Sequence, residues 1–133
     1  MSTSRVPVYS DKAPKPASFL SQAIVDGNRV FCSGQVGLDP QDGKMIQGTV
    51  QDRTAQVLKN LGAVLESAGS SLSRVIKVNI YLTDLADFAA MNEVYETFFE
   101  NPRPARTCVG VKMLPLGTDV EIECIASIDT PKL

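Results

Sequence analysis

The sequence predicts an α+β domain in which two helices pack on one face of a mixed β-sheet. Residues 50–68 carry apolar side chains at helical spacing, and Gly69 follows as a helix C-cap. Residues 75–82, VIKVNIYL, alternate apolar and polar side chains as a half-covered strand does. The elements run strands, helix, strand, helix, strands, which is typical of an α+β sandwich. A chain of 133 residues suits one domain, 1–133, with one core.

The N-terminal third is expected to contribute three strands. Residues 5–9, RVPVY, predict an edge strand because a proline interrupts them. Residues 21–25 and 29–36 predict two further strands separated by a tight turn. Gly34 breaks the apolar run of the third strand, which indicates a bulge or a close approach of the backbone to another group. Residues 37–49 contain one proline and two glycines and are expected to form a loop or hairpin.

The C-terminal half is expected to contain a helix and then two strands. Thr83 or Asp84 can cap this helix, and the prolines after Asn101 end it. Residues 105–111 and 119–128 predict the strands. The helix presents an apolar stripe formed by Phe88, Met91, Tyr95 and Phe98.

Two charged side chains of these last strands stand out. If the strands pair as a hairpin, alternation places Arg106 and Glu121 on the sheet face that the helices leave uncovered. That pairing puts Arg106 opposite residues 125–126, and about 13 Å from Glu121 along the partner strand. The two side chains are therefore expected to meet across a subunit boundary or to line different parts of one pocket. An arginine near the start of a half-buried strand is costly to desolvate and usually has a partner.

The composition excludes several classes of function. The net charge is −2, and the 13 lysines and arginines are scattered, so no basic footprint for nucleic acid is visible. The chain contains no histidine, which excludes the usual Ser-His and Cys-His nucleophiles and removes the commonest metal ligand. Three cysteines without a CxxC pair indicate a reduced compartment and argue against a disulfide framework and a zinc site. No membrane span or secretory leader is evident, so we expect a cytosolic protein; a mitochondrial location is also compatible with the sequence.

Taken one at a time, the polar candidates have ordinary structural interpretations. A strand arginine is usually solvated or ion-paired, and strand glutamates usually face solvent. A Ser-Gly pair is a bulge, a helix asparagine is an exposed polar residue, and a lone cysteine is a small buried apolar group. These interpretations apply individually to Arg106, Glu121, Ser33, Gly34, Asn92 and Cys108.

Several blocks together resemble the RidA/YjgF family of reactive intermediate deaminases. The blocks are FCSGQV, VLKNLGAVLESAGSSLSRVIKVNIYL, DFAAMNEVYETFF, PARTCV and VEIE, in this order. The resemblance covers residues 5–128. It implies a chorismate-mutase-like trimer with clefts between neighbouring subunits. It also implies hydrolysis of enamine and imine acids, such as 2-aminoacrylate and 2-iminopropionate, to 2-keto acids and ammonia, without a cofactor or a metal.

The resemblance implies roles for individual residues. Arg106 matches the arginine that binds the substrate carboxylate, and Glu121 matches the glutamate proposed to position water. The remaining matched pocket positions are Ser33, Gly34, Asn92 and Cys108. One position departs from the family pattern, because Leu20 stands where a tyrosine is usual. This loss of a phenolic hydroxyl affects the expected substrate range and rate.

Two other functions are alternatives to imine deamination. Some members of the family carry an endoribonuclease or translation-inhibitor label, but the absence of a basic stripe and of histidine makes nucleic acid an unexpected partner. A non-catalytic, ligand-binding or chaperone-like trimer that uses the same clefts is the remaining alternative. It would bind carboxylate ligands without turnover.

Overall fold

The computed structural model describes residues 5–128. The predicted domain 1–133 therefore includes residues 1–4 and 129–133, which lie outside the described residues. The described part forms six strands and two α-helices, joined by short 3-10 turns. The strands are β1 (Val6–Val8), β2 (Ala23–Asp26), β3 (Arg29–Gln35), β4 (Val75–Leu82), β5 (Ala105–Gly110) and β6 (Val120–Ser127), and the helices are α1 (Val50–Ser67) and α2 (Phe88–Tyr95).

All six strands form one mixed sheet in the order β1-β2-β3-β6-β4-β5. β4 and β5 are parallel, and the other neighbours are antiparallel. Both helices lie on one face of this sheet, where Leu58 and Leu61 of α1 share a buried core with Ile80 and Ile122. The predicted fold class, an α+β domain with two helices on one face of a mixed sheet, is confirmed. Within residues 5–128, no helix has the length and apolar character needed to cross a membrane.

The last two strands do not pair with each other. β6 occupies the centre of the sheet between β3 and β4, whereas β5 lies at the edge beside β4. The burial of the two strands explains this order. Alternate residues of β6, such as Ile122 and Ala126, are fully buried, so this strand needs neighbours on both sides. β5 has no fully buried residue and suits an edge. The hairpin assumed from the sequence is therefore wrong.

Helix α1 begins and ends where the sequence indicates. Thr49 and Asp52 form a reciprocal capping box at its N-terminus, which satisfies two backbone N–H groups that the first turn leaves unpaired. Ala68 is the C-cap, and Gly69 follows with φ +84°, a conformation that glycine adopts without strain. This helix covers β3 and β6.

Helix α2 is shorter than predicted. Asp84, one of the two predicted caps, accepts a hydrogen bond from the Ala86 N–H and starts a 3-10 turn, and the α-helix proper follows it. It ends at Tyr95, because the N–H groups of Thr97 and Phe98 bond to carbonyl groups three residues back instead of four. These tighter turns continue the chain toward β5.

Candidate functional site

The Arg106 side chain lies on the helix-covered side of the sheet. Its strand pairs in parallel with β4, and Arg106 is in register with the fully buried Val78. Residues in register on neighbouring strands share a sheet face. The guanidinium carbon lies 4.7 Å from the ring centroid of Tyr95 and 5.4 Å from that of Phe88, and Nη1 donates a hydrogen bond to Asn92 Oδ1. The arginine is thus held by two aromatic rings and one amide.

A pocket of about 270 Å³ opens beside this guanidinium. Phe88, Asn92 and Tyr95 reach Arg106 because they lie at i, i+4 and i+7 along α2 and share one helix face. The sequence predicts Asn92 as a pocket residue but Tyr95 only as part of the apolar stripe of the helix. Tyr95 lies three residues after Asn92, and this helical spacing predicts that the two side chains share one face. The pocket is lined by Asn92, Tyr95, Glu96, Arg103 and Arg106.

Cys108 lies two residues after Arg106 and on the same side of the strand. It is half-buried, and burial raises the pKa of its thiol, although the charge of Arg106 opposes the shift. The thiol is therefore neutral at physiological pH and poorly suited to act as a nucleophile. Its place next to the arginine is consistent with a role in shaping the pocket.

Glu121 lies on the opposite, uncovered face of the sheet. It is in register with Tyr81 of β4, whose neighbours Ile80 and Leu82 are buried under the helices. Burial, followed by the negative charge of Glu123, raises the pKa of the Glu121 carboxyl. A carboxylate with a raised pKa is a stronger base than an ordinary glutamate, which suits it to accept a proton from water.

Gly34 approaches the Glu121 carboxyl closely. The register between β3 and β6 breaks between Cys32 and Gln35, so Ser33 and Gly34 form the predicted bulge. A Cβ atom added at Gly34 would overlap Glu121 Oε2 and lie 2.9 Å from its Cδ. The bulge and the close approach predicted for this glycine are both confirmed. Ser33 Oγ donates to the Ser21 carbonyl oxygen at 2.7 Å.

Polar side chains surround Glu121 on the uncovered face. Asn79 Nδ2 donates to Glu123 Oε2 at 3.1 Å. Burial raises the pKa of the Tyr81 hydroxyl, and the charges of Glu123 and Glu121 add to the shift. The alternation of β4 predicts Tyr81 on this face, but the sequence alone gives no signal that marks it as a site residue. In residues 5–128, no group of histidine, cysteine and carboxylate side chains is arranged to hold a metal ion.

Leu20 is exposed near the bulge. Its side chain is 44% accessible, and it lines a pocket of about 130 Å³ together with Ser33 and Gly34. The neighbouring Phe19 is 85% accessible and offers no hydroxyl group. Neither residue supplies the phenol that the sequence resemblance implies at position 20.

The site residues form two clusters on opposite faces of the sheet. The first, the arginine cluster, contains Arg106, Asn92 and Cys108; the second, the glutamate cluster, contains Glu121, Ser33 and Gly34. Their strands, β5 and β6, are separated by β4, so the backbones lie about 10 Å apart. The expectation that Arg106 and Glu121 share the uncovered face is therefore wrong. Parallel pairing with β4 turns Arg106 toward the helices.

Comparison with known proteins identifies the class. The sequence profile described as Endoribonuclease L-PSP matches residues 10–128, and the chain belongs to this family, the RidA/YjgF family. The resemblance noted from the sequence blocks is confirmed.

The chain is similar to a RutC family protein of Pyrococcus horikoshii, with 49% identity over 90% of this chain and 94% of the relative. It is also 41% identical to a protein of Dermatophagoides farinae named 2-iminobutanoate/2-iminopropanoate deaminase, over 97% of this chain and all of the relative. Among solved structures, Escherichia coli TdcF with bound serine superposes with a TM-score of 0.87 at 36% identity, covering 92% of this chain and 98% of TdcF.

Proposed function

We propose that this protein hydrolyses small 2-imino and 2-enamine acids, of the 2-iminopropionate and 2-aminoacrylate type, to 2-keto acids and ammonia without a cofactor. The observation that carries the proposal is the fixed guanidinium of Arg106 at the edge of a pocket. Two findings on similar proteins support it. The D. farinae relative is named for this reaction, and the TdcF structure holds an amino acid, serine.

Arg106 is suited to bind the substrate carboxylate. A planar guanidinium pairs with a carboxylate through two parallel hydrogen bonds, which fixes both position and orientation. The two aromatic rings and Asn92 hold the guanidinium plane in place before substrate arrives, which reduces the entropy lost on binding. The imine carbon would then lie at a fixed place relative to this anchor.

Glu121 is proposed to orient and deprotonate the attacking water. The carbon–nitrogen double bond of an imine is already electrophilic, so water adds to C2, the C–N bond breaks and nitrogen leaves as ammonia. Orientation of water and substrate supplies much of the acceleration that such a reaction needs. A glutamate with a raised pKa can take the proton, which suits a chain without histidine. Ser33, Gly34, Asn92 and Cys108 are proposed to shape the binding pocket.

We propose a homotrimer with the site between subunits. In one chain, Arg106 and Glu121 lie on opposite faces of the sheet, so one small substrate cannot touch both. A neighbouring subunit could bring its glutamate cluster to the arginine cluster of the first. The predicted cytosolic location remains a proposal as well.

Release of keto acid from fresh 2-iminopropionate tests the reaction. An amino-acid oxidase generates the imine, and semicarbazide traps the fraction that is not hydrolysed. Arg106→Ala and Arg106→Lys should each lose at least about 100-fold in kcat/KM, because lysine cannot form the bidentate pair. Circular dichroism and gel filtration control for folding and assembly. Full activity in the folded Arg106→Lys variant would rule out the bidentate role.

Mixed oligomers test whether the site is shared. Arg106→Ala and Glu121→Gln subunits, each inactive alone, are unfolded together in equal amounts and refolded. If every site takes its arginine and its glutamate from different subunits, about a quarter of the sites receive both intact residues. Activity should then return to about a quarter of the wild-type value. A mixture that stays inactive, although the subunits exchange, would place both residues of a site in one chain.

RNA serves as the control substrate in these assays. The family description names an endoribonuclease, but the 13 lysines and arginines are scattered along a chain without histidine. We expect no RNA cleavage and no binding with a steep salt dependence at moderate salt. Cleavage that survives in Arg106→Ala would support a separate ribonuclease function.

A further inference from the structure

The pocket beside Arg106 contains a second guanidinium, that of Arg103. Both arginines line the same pocket of about 270 Å³. Arg103 Nη1 donates to the backbone carbonyl oxygen of Glu96 at 3.2 Å, which places the side chain but leaves its charge uncompensated. Arg103 also lies between Pro102 and Pro104, whose rings restrict the backbone on both sides.

Within residues 5–128, neither arginine forms a salt bridge with a carboxylate. The salt bridge between Arg53 and Asp119 involves no residue that lines this pocket. Glu96 lines the pocket too, but its carboxylate lies more than 4.0 Å from both guanidinium groups, the limit for a salt bridge. The pocket thus offers two positive charges against one negative charge.

The excess positive charge of the pocket affects which substrates it should prefer. A substrate with one carboxylate uses Arg106 and leaves Arg103 without an anionic partner. An exposed arginine without a partner is common on protein surfaces. Arg103 differs because it borders the pocket that contains the substrate anchor. A guanidinium there would favour a ligand with a second anionic group.

We propose that the preferred substrates are 2-imino dicarboxylates, short imino acids with a second carboxylate on the side chain, such as 2-iminosuccinate. This inference rests on the proposed function. Arg106 binds the carboxylate next to the imine carbon, and Arg103 binds the side-chain carboxylate. Water adds to C2, the C–N bond breaks, and the products are a 2-keto dicarboxylic acid and ammonia. The reaction consumes no oxidant or reductant.

The test compares two imines on three proteins. Amino-acid oxidases generate 2-iminopropionate from alanine and 2-iminosuccinate from aspartate, and semicarbazide competes for each. The measured quantity is the ratio of kcat/KM for 2-iminosuccinate to kcat/KM for 2-iminopropionate. In Arg103→Gln this ratio should fall about tenfold relative to wild type, as expected for one charge-assisted hydrogen bond at an exposed position. The wild-type ratio should also fall as sodium chloride is added.

Lys59→Gln is the matched control. It removes the same unit of positive charge from an exposed position on helix α1, away from the pocket. Its ratio should equal that of wild type. An equal fall in Lys59→Gln would show an effect of net charge alone and would overturn the inference. So would an unchanged ratio in Arg103→Gln, in which case the proposed deaminase function still stands.

Calorimetry separates the inference from the proposed function. Succinate should bind the wild-type protein about tenfold more tightly than butyrate does, and Arg103→Gln should abolish the difference. If wild type hydrolyses neither imine, the proposed function fails. The binding comparison then decides alone whether the pocket selects dicarboxylates: equal binding of succinate and butyrate overturns the inference.

Discussion

The close approach of Gly34 to Glu121 gives the sharpest test of the glutamate's role. In Gly34→Ala, the added methyl group would overlap Glu121 Oε2 and lie 2.9 Å from Cδ and 3.1 Å from Cγ, where ordinary contacts begin at 3.4 Å. The carboxyl group must therefore retreat by about 1 Å, a displacement that can cost about 100-fold in rate when it affects a catalytic group. The fold should tolerate the change, because Gly34 does not need a positive φ and the displaced group ends a flexible side chain.

We therefore expect Gly34→Ala to lose about 100-fold in kcat for 2-iminopropionate while its thermal midpoint stays within a few degrees of wild type. Gly62→Ala, within helix α1, is the matched control. Its added Cβ would lie 3.5 Å from Leu72 Cδ1, which is an ordinary van der Waals contact. That variant should retain full activity. Wild-type kcat in a well-folded Gly34→Ala would refute the assignment of Glu121 as the group that positions water.

Three further predictions concern charge and the pocket near the bulge. Burial raises the pKa of Glu121, so this group favours the folded state below its ordinary pKa, and that contribution is lost as pH rises through the raised value. Glu121→Gln should thus be more heat-stable than wild type at pH 7 though inactive; a lower midpoint by scanning fluorimetry would contradict this. Arg53→Ala removes a bidentate contact with Asp119, at 2.7 and 2.8 Å, and should cost about 2 kcal/mol in urea unfolding. The penalty should shrink in acid, because Arg53 lowers the pKa of Asp119; an unchanged penalty would count against the ion pair. Leu20→Tyr restores a phenol beside Ser33 and should raise kcat/KM for 2-iminopropionate about tenfold; no gain would mean that this hydroxyl is not needed.

The sequence predicts local structure better than strand neighbours. Apolar spacing located α1 within one residue and β4 with no error, because each element buries one regular face. The partner of β5 could not be read in this way. Pairing depends on which strands compete for central positions, and the alternation within 105–111 is compatible with a hairpin or with parallel pairing. β5 pairs with β4, and this pairing places Arg106 on the helix-covered face instead of the predicted uncovered face.

In the site as well, features set by neighbouring residues in the sequence could be predicted, whereas contacts between distant elements could not. Gly34 was predicted as a close-approach position from its place within a strand, and Glu121 provides the contact. Tyr95 was missed because a tyrosine at helical spacing usually belongs to the core, and this one is indeed buried. Its contact with Arg106 follows from the edge position of β5 beside α2. Arg103 carried no sequence signal beyond its place in the PRPAR segment.

Assembly would change the chemistry of the site as well as complete it. In the proposed mechanism, the arginine cluster alone would bind an imino acid but would lack the group of the glutamate cluster that activates water. The glutamate cluster alone has a base but no anchor. A second subunit placed over the uncovered face would remove more water from Glu121, and desolvation would raise the pKa of that carboxyl further. The positive charge of a facing arginine cluster would oppose that shift and lower the pKa of Glu121. The activity of a free subunit should therefore be lower than that of the oligomer, because the free subunit has no arginine cluster facing its glutamate.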